Sequence, residues 1–389
     1  MYNLELYRIT GHKVTKNKPV LLAHGLFGSS DIFVLTGGDH GVAFQLVYEG
    51  YDVWLVNFRG NRYSLGHEKR NTLSGKIKHK LTGDYWRFSF WEMGVYDLPA
   101  MIEAILEASG SEKVHYVGFS MGTLNLFIGM DFYGGIKNSQ NQQESEKQRI
   151  IDAQFDQILP SEYYSKLVNY DLQSKISDFQ CIGPVFNMKH FNNTKLRKYN
   201  AKYYDKLQSA EFLQGLKFVP KLLVDNPAMK AAGMEKVLKK LNFVKEMGNL
   251  NPENYIENED ARTELYSHVP QGTSMQTVLH FSKLIQENRL APFHDVRLVF
   301  RNEATGKVGL KLFELKLKHV KKVPTFVYYG EIDTYSPRGE AVMIKRLMGK
   351  RNLVEIIEVK RADHLGLMGI KNIREGYVLK MMKKMEKYD

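Results

Sequence analysis

Val114-His115-Tyr116-Val117-Gly118-Phe119-Ser120-Met121-Gly122 decides how this chain is read. Residues of strand character run straight into Gly-x-Ser-x-Gly, and a helical pattern from Thr123 to Met130 follows. In that context the pentapeptide predicts a sharp strand-to-helix turn that lifts the Ser120 hydroxyl clear of a sheet. The flanking glycines keep Cβ atoms out of the bend. The helix behind the serine brings backbone N–H groups and a positive dipole end to the place where negative charge would develop. The pentapeptide alone is common; the strand before it and the helix after it give it meaning.

Upstream, Pro19-Val-Leu-Leu-Ala-His24-Gly25-Leu26-Phe27-Gly28 is apolar throughout and then opens into a glycine-containing loop. Such a run suits a parallel strand buried on both faces. The loop is expected to supply the second donor of an oxyanion hole, the backbone N–H of Leu26, paired with the backbone N–H of Met121. His24 is read as a structural hydrogen-bonder. Residues 2–9 alternate as an outer strand, His40 to Glu49 reads as a helix, and Tyr51 to Arg59 reads as the next strand and its exit turn. Phe88 to Ser109 is a long helical pattern in which Pro99 predicts a kink or restart near Asp97. Alternating strands and helices predict a mostly parallel sheet flanked by helices.

Downstream, residues 134–174 read as a polar insertion, with no apolar residue from Asn138 to Arg149. Lys175 to Pro184 resumes the strand pattern. From 187 to 322 the alternation breaks into short amphipathic segments, such as Asn200 to Leu216 and Met229 to Met247, punctuated by five prolines between Pro220 and Pro292. This stretch is expected to form a cap or lid that excludes water and shapes an apolar pocket. Strands return at Val323 to Tyr329 and Val354 to Val359, and Lys371 to Lys387 reads as a closing basic helix. The expected organisation is therefore core residues 1–186, cap 187–322 and core 323–389.

A serine hydroxyl needs an imidazole to take its proton, and the imidazole needs a carboxylate to fix its tautomer. Ser120, Asp333 and His364 occur in the order Ser, acid, His, each just after an expected strand. Glu331 and Asp363 compete for the acid position. The other eleven histidines compete in principle; among them His268 and His280 fall in the cap and His115 lies inside the strand before Ser120, and the chain order makes His364 the expected base. The chemistry expected is acyl transfer through an acyl-enzyme. No metal-ligand cluster, Walker loop or Gly-x-Gly-x-x-Gly occurs, so neither cofactor nor metal is expected.

The 389 residues, 43% of them hydrophobic, suffice for a large core. Cys181 is the one cysteine, so no internal disulfide forms and none reports the compartment. The net charge of +12 favours contact with an anionic membrane surface. Its lysines are scattered and no nucleic-acid motif accompanies them, so nucleic acid is not an expected partner. No apolar run of membrane-spanning length occurs. The first residues form no apolar leader, so no signal peptide is read in the chain as given, which reads as one missing its true beginning.

Four blocks resemble the acid lipase family of gastric and lysosomal type. They are Ala23 to Gly28, Asn57-Phe-Arg-Gly-Asn61 with Ser64, Phe88 to Met93 with Tyr96-Asp-Leu-Pro-Ala100, and His115 to Gly122. His268 to Ser274 and Gly330 to Asp333 are similar too, and the likeness covers nearly all of the chain outside 134–174. The resemblance implies an α/β-hydrolase fold and hydrolysis of neutral lipid esters, triacylglycerol or sterol ester, at a lipid–water interface. It also implies Ser120, Asp333 and His364 as triad, Leu26 and Met121 as oxyanion donors, and a lysosomal or secreted setting. The family usually has His and Gln beside the serine, where Phe119 and Met121 stand here. The remaining expectations are a short-chain carboxylesterase or thioesterase, and a lipid-binding protein on the same fold without catalysis.

Overall fold

The computed structural model describes the chain apart from residues 1, 39, 69–83, 141–169, 210–267, 269, 296, 302–307, 313, 322, 351 and 370–372. In chain order the strands are β1 (Tyr2–Asn3), β2 (Glu5–Ile9), β3 (Val20–Ala23), β4 (Val53–Asn57), β5 (Gly66–His67), β6 (Val114–Phe119), β7 (Ile176–Ile182), β8 (Arg297–Arg301), β9 (Val308–Leu312), β10 (Thr325–Gly330) and β11 (Val354–Val359). Seven of them form one sheet in the order β11-β10-β7-β6-β3-β4-β2. Every neighbouring pair is parallel except β2 with β4.

The central strands β3, β4, β6, β7 and β10 are buried at every residue, which is why most of their residues are apolar without alternation; the buried polar side chains of β6 and β7 pair with each other, His115 with Asp178 and Gln180 Nε2 with Asp178. Successive side chains point to opposite faces. Leu21, Tyr116 and Phe179 therefore enter one core, and Val20, Leu22 and Val117 enter the other. The exposed edge, β2, carries Arg8, whose Nε lies 2.8 Å from Asp52. Charge on an edge strand hinders further pairing. The single outer strand expected over residues 2–9 is two. The chain leaves the large sheet before Glu5, and β1 pairs with β5 in a separate ribbon.

The longer helices among the described residues are α1 (Val42–Tyr48), α2 (Leu98–Ser109), α3 (Met121–Gln140), α4 (Thr194–Ser209), α5 (Met275–Glu287), α6 (Arg338–Met348) and α7 (Leu379–Met385). Before α2 the chain makes one α turn, capped reciprocally by Ser89 and Glu92, and then a π-helical turn over Met93–Asp97. Pro99 sits in the first turn of α2 and cannot donate to the carbonyl four residues back, that of Val95. The hydroxyl of Tyr133 donates to this oxygen at 2.5 Å instead. The expected disturbance near Asp97 is thus a widened turn whose orphaned carbonyl has found a side-chain donor.

Four other expectations change. α3 continues to Gln140, so the residues from 134 to 140 extend the elbow helix rather than opening a surface loop. The other end of that polar stretch also packs back, with Leu172 fully buried. α4 begins at Thr194, six residues before the expected Asn200, because the Asn193 carboxamide caps it by accepting from Leu196 N at 3.1 Å. The closing segment is a π turn over Arg374–Val378 followed by α7, not one uniform helix. Of the stretch expected to form a cap, Met229 to Met247 lies outside the described residues. Its described part includes α4 lying on α5, joined by Asn200 Nδ2 to Ser282 O at 3.0 Å and Gln208 Nε2 to Leu279 O at 2.9 Å. No helix among the described residues is long and apolar enough to cross a membrane.

Candidate active site

Ser120 stands between the last residue of β6 and the first of α3, at φ +51°. A left-handed serine costs roughly 1–3 kcal/mol, which the surroundings must hold in place. Its N–H donates to Ile182 O at 2.9 Å, and its carbonyl accepts from Thr123 N at 2.9 Å. The two glycines are needed for different clashes. A Cβ on Gly118 would lie 2.8 Å from Thr123 N, and one on Gly122 would lie 2.2 Å from Ala23 O. Gly122 is therefore what lets α3 start against the end of β3.

His364 Nε2 lies 2.8 Å from Ser120 Oγ, and His364 Nδ1 lies 2.8 Å from Asp333 Oδ2. The other carboxylate oxygen of Asp333 accepts from Tyr335 N at 2.8 Å and Ser336 N at 2.9 Å. The Ser336 hydroxyl donates in turn to Pro184 O at 2.6 Å. The three groups stand just beyond the carboxyl ends of β6, β10 and β11, and all are buried. With one ring nitrogen facing a carboxylate, the tautomer that fits carries its proton on Nδ1 and leaves Nε2 free to accept from the serine.

The competitors lie elsewhere. Glu331 is exposed and accepts from Arg361 N at 2.9 Å, and Lys360 stands 3.4 Å away. Asp363 points one oxygen at Gly366 N, 2.7 Å away in its own loop. His115 pairs with Asp178 inside the sheet, and His280 lies between Ser89 Oγ and Ala291 O. His268 stands 3.7 Å from Asp31.

The loop after β3 passes directly against the serine: a Cβ on Gly25 would meet Ser120 Cβ at 3.0 Å. Among the described residues, neither Leu26 N–H nor Met121 N–H donates to a protein acceptor. Phe27, the next residue, has φ +60°, and its carbonyl accepts from Gln271 N at 2.7 Å. That bond ties the loop to the segment before α5, a link that no local pattern in the sequence announces.

His24 anchors the same loop from below. Its Nδ1 donates to Gly25 O at 2.8 Å, and its Nε2 accepts from Phe58 N at 3.2 Å. Burial pushes its pKa down to about 4, so the ring is neutral and structural. Asn57 accepts from Ser30 N at 3.0 Å and Asn61 Nδ2 at 2.8 Å, which fixes the following turn. Arg59 in that turn donates to Asp97 from Nε at 2.8 Å and Nη2 at 2.5 Å, with its guanidinium 4.2 Å from the Tyr2 ring centre. Among the described residues no group of three His, Cys, Asp or Glu side chains is placed to hold a metal ion.

A family described as the alpha/beta hydrolase fold matches residues 18–128, from the approach to β3 through the elbow and into α3. The chain has the α/β-hydrolase fold. The curated proteins it is similar to include lipases. Lipase 1 of Drosophila melanogaster is 24% identical over 383 residues, covering 97% of this chain and 73% of the relative. Human Lipase member K is 30% identical over 301 residues, covering 75% of this chain and 63% of the relative. The gastric triacylglycerol lipase of Rattus norvegicus is 30% identical over 299 residues, covering 75% and 64%. The match thus spans somewhat under two thirds of the last two. A soluble variant of monoglyceride lipase from Saccharomyces cerevisiae shares the α/β-hydrolase fold at a TM-score of 0.52 and 14% identity, covering 100% of this chain and 94% of that one.

Proposed function

We propose that this α/β hydrolase is a serine lipase that cleaves carboxylic esters of neutral lipids, triacylglycerol or sterol ester, through Ser120, His364 and Asp333. The observation that carries the reading is the continuous Ser120–His364–Asp333 hydrogen-bonded relay, 2.8 Å at each step, on a left-handed serine. In the first half-reaction Ser120 Oγ attacks the ester carbonyl carbon as His364 Nε2 takes its proton. The carbonyl oxygen becomes an oxyanion facing the backbone N–H groups of Leu26 and Met121, and Asp333 stabilises the imidazolium. Collapse breaks the ester C–O bond, and Nε2 gives its proton to the departing alcohol. Water then repeats the sequence on the acyl-enzyme, with Nε2 as base, releasing the fatty acid and restoring the Ser120 hydroxyl.

The lipid substrate is supported by the relatives, which include gastric triacylglycerol lipases and Lipase 1. On this reading residues 187–322 are the cap over the acyl pocket, and the enzyme works at a lipid–water interface, where its net charge of +12 favours anionic surfaces. The gastric relatives support a secreted or lysosomal setting.

The test is hydrolysis of p-nitrophenyl esters from acetate to palmitate at acid and neutral pH, for wild type and Ser120→Ala. Rates that rise with chain length and fall by roughly 10⁴- to 10⁶-fold in the variant are the expected result. Turnover of short esters alone would replace the lipase by a small-pocket esterase or a thioesterase. Equal inertness of folded wild type and variant would overturn the catalytic reading in favour of lipid binding without catalysis.

A further inference from the structure

The hydrogen bonds of the relay fix where the His364 imidazole sits, but two collinear contacts leave its tilt about the Asp333–Ser120 line open. Two aromatic rings close that freedom. The Phe119 ring centre lies 5.2 Å from that of His364, at 33° between planes, and the Tyr335 ring centre lies 5.2 Å away at 30°. Both distances fall within the range of ring stacking and of cation–π attraction. Neither ring is free to swing aside. A Cβ on Gly25 would lie 3.2 and 3.3 Å from two ring carbons of Phe119, which is therefore wedged between the loop after β3 and the imidazole. Tyr335 rests on Phe191, with ring centres 5.3 Å apart. Gly183 closes the remaining edge, since its Cβ would stand 3.2 Å from His364 Cε1.

We propose that Phe119 and Tyr335 act as positioning residues, an aromatic clamp that holds the tilt of the His364 imidazole and stabilises its cationic form while it carries the proton of Ser120. The proposal rests on the relay reading above and adds to it. Proton transfer converts a neutral ring into a cation in a buried site, where the negative faces of aromatic rings attract it more than in water. The charged groups around it are few. Asp333 is hydrogen-bonded to it; Asp363, next on its own loop, is turned to Gly366 N. Ser120 and Met121 in the elbow, and Gly183 and Pro184 after β7, bring no charge. Glu331 is held by Arg361 N, and Glu340 by the N–H groups of Phe186, Asn187 and Met188. The rings are therefore the main polarisable surface that the cation meets besides Asp333.

The experiment compares wild type, Phe119→Leu, Tyr335→Leu and Tyr335→Phe by two readouts. One is the pH dependence of kcat and KM on a p-nitrophenyl ester; the other is NMR titration of the His364 imidazole. Loss of one ring is expected to lower both the His364 pKa and the acid limb of kcat/KM by about half a pH unit. It should also reduce plateau kcat about threefold or more, with KM within about twofold. Tyr335→Phe, which keeps the ring, should restore the limb that Tyr335→Leu displaces. A limb and an NMR pKa that stay put while kcat falls would overturn the clamp and leave only packing. Should Phe119→Leu fail to fold, the two Tyr335 variants decide alone. Absence of ester turnover in wild type would sink the functional reading, and the NMR titration would still decide the clamp.

Discussion

Arg59 and Asp97 join two sequence blocks 38 residues apart, and removing one of them should be far worse than removing both. The side chains are 10% and 2% exposed, with Nη2 2.5 Å from Oδ1 and Nε 2.8 Å from the same oxygen. In Arg59→Met the Asp97 carboxylate keeps, among the described residues, only the backbone N–H of position 59 at 3.2 Å. A buried charge stripped of its partner costs about 3–5 kcal/mol. Asp97→Leu strands a guanidinium among the Tyr2, Phe88 and Tyr96 rings, which lie 4.2, 5.8 and 5.9 Å away and compensate it only in part. The same figure of about 3–5 kcal/mol applies. The double variant buries no charge, so its loss should be smaller than either single loss, and the coupling should reach several kcal/mol. Guanidinium chloride unfolding at pH 7, followed by circular dichroism, gives all four stabilities. Single losses that simply add in the double variant would refute the reasoning, because the pair would then behave as two independent surface contacts.

Two further outcomes follow from the site. His24 has a folded pKa of about 4 against an ordinary 6.5, so the folded state keeps the ring neutral while the unfolded chain takes up a proton. Its contribution is whole above pH 6.5 and is lost as pH falls from there to about 4, which amounts to about 3 kcal/mol. His24→Gln should flatten that part of the stability–pH curve and leave the similar loss from His280, whose pKa burial lowers to about 3; an unchanged slope would refute the assignment. Gly183→Ala forces a side chain into φ +54° and within 3.0 Å of Leu367 Cδ1 as well as against His364. It should lose about 1–2 kcal/mol of stability and about tenfold in kcat; a lower Tm with intact kcat would show that the imidazole is not displaced.

What the sequence made legible was what repeats locally. The strands around Leu21, Val117 and Val327 are fully buried and therefore apolar, and their exits carry the glycines at 25, 118, 122 and 330 whose absent Cβ atoms the turns require. α6 went unread although it runs from Arg338 to Met348, because it starts directly after Pro337 with Gly339 in its first turn and little capping chemistry. α5 was hidden in a proline-punctuated stretch, with Ser274 as its cap. The hairpin of β8 and β9 was missed in the same stretch. Long-range ties leave no periodic trace at all. The buried Glu340 carboxylate gathers three backbone N–H groups from residues 186–188, and Asp131 gathers those of Lys316, Leu317 and His319. Each reads in sequence as one more acidic residue, with nothing to mark its distant partners.

The order of the strands has a bearing on how such a chain can change. β6 and β7 are neighbours in the sheet, and so are β7 and β10, yet 56 residues separate Phe119 from Ile176 and 142 separate Ile182 from Thr325. The chain returns each time to the strand alongside, with Phe179 facing Thr325 in register. The first connection carries Ser120, Met121 and the core-packed helix α3, so it is bound to the site itself. The second runs from Gly183 to Pro324 and carries none of the three triad residues. Loop closure depends only weakly on length, so an insertion in this second connection should cost little entropy. The ladder between β7 and β10 that leads to Asp333 would keep its register, and new residues could be added there without touching Ser120, Asp333 or His364.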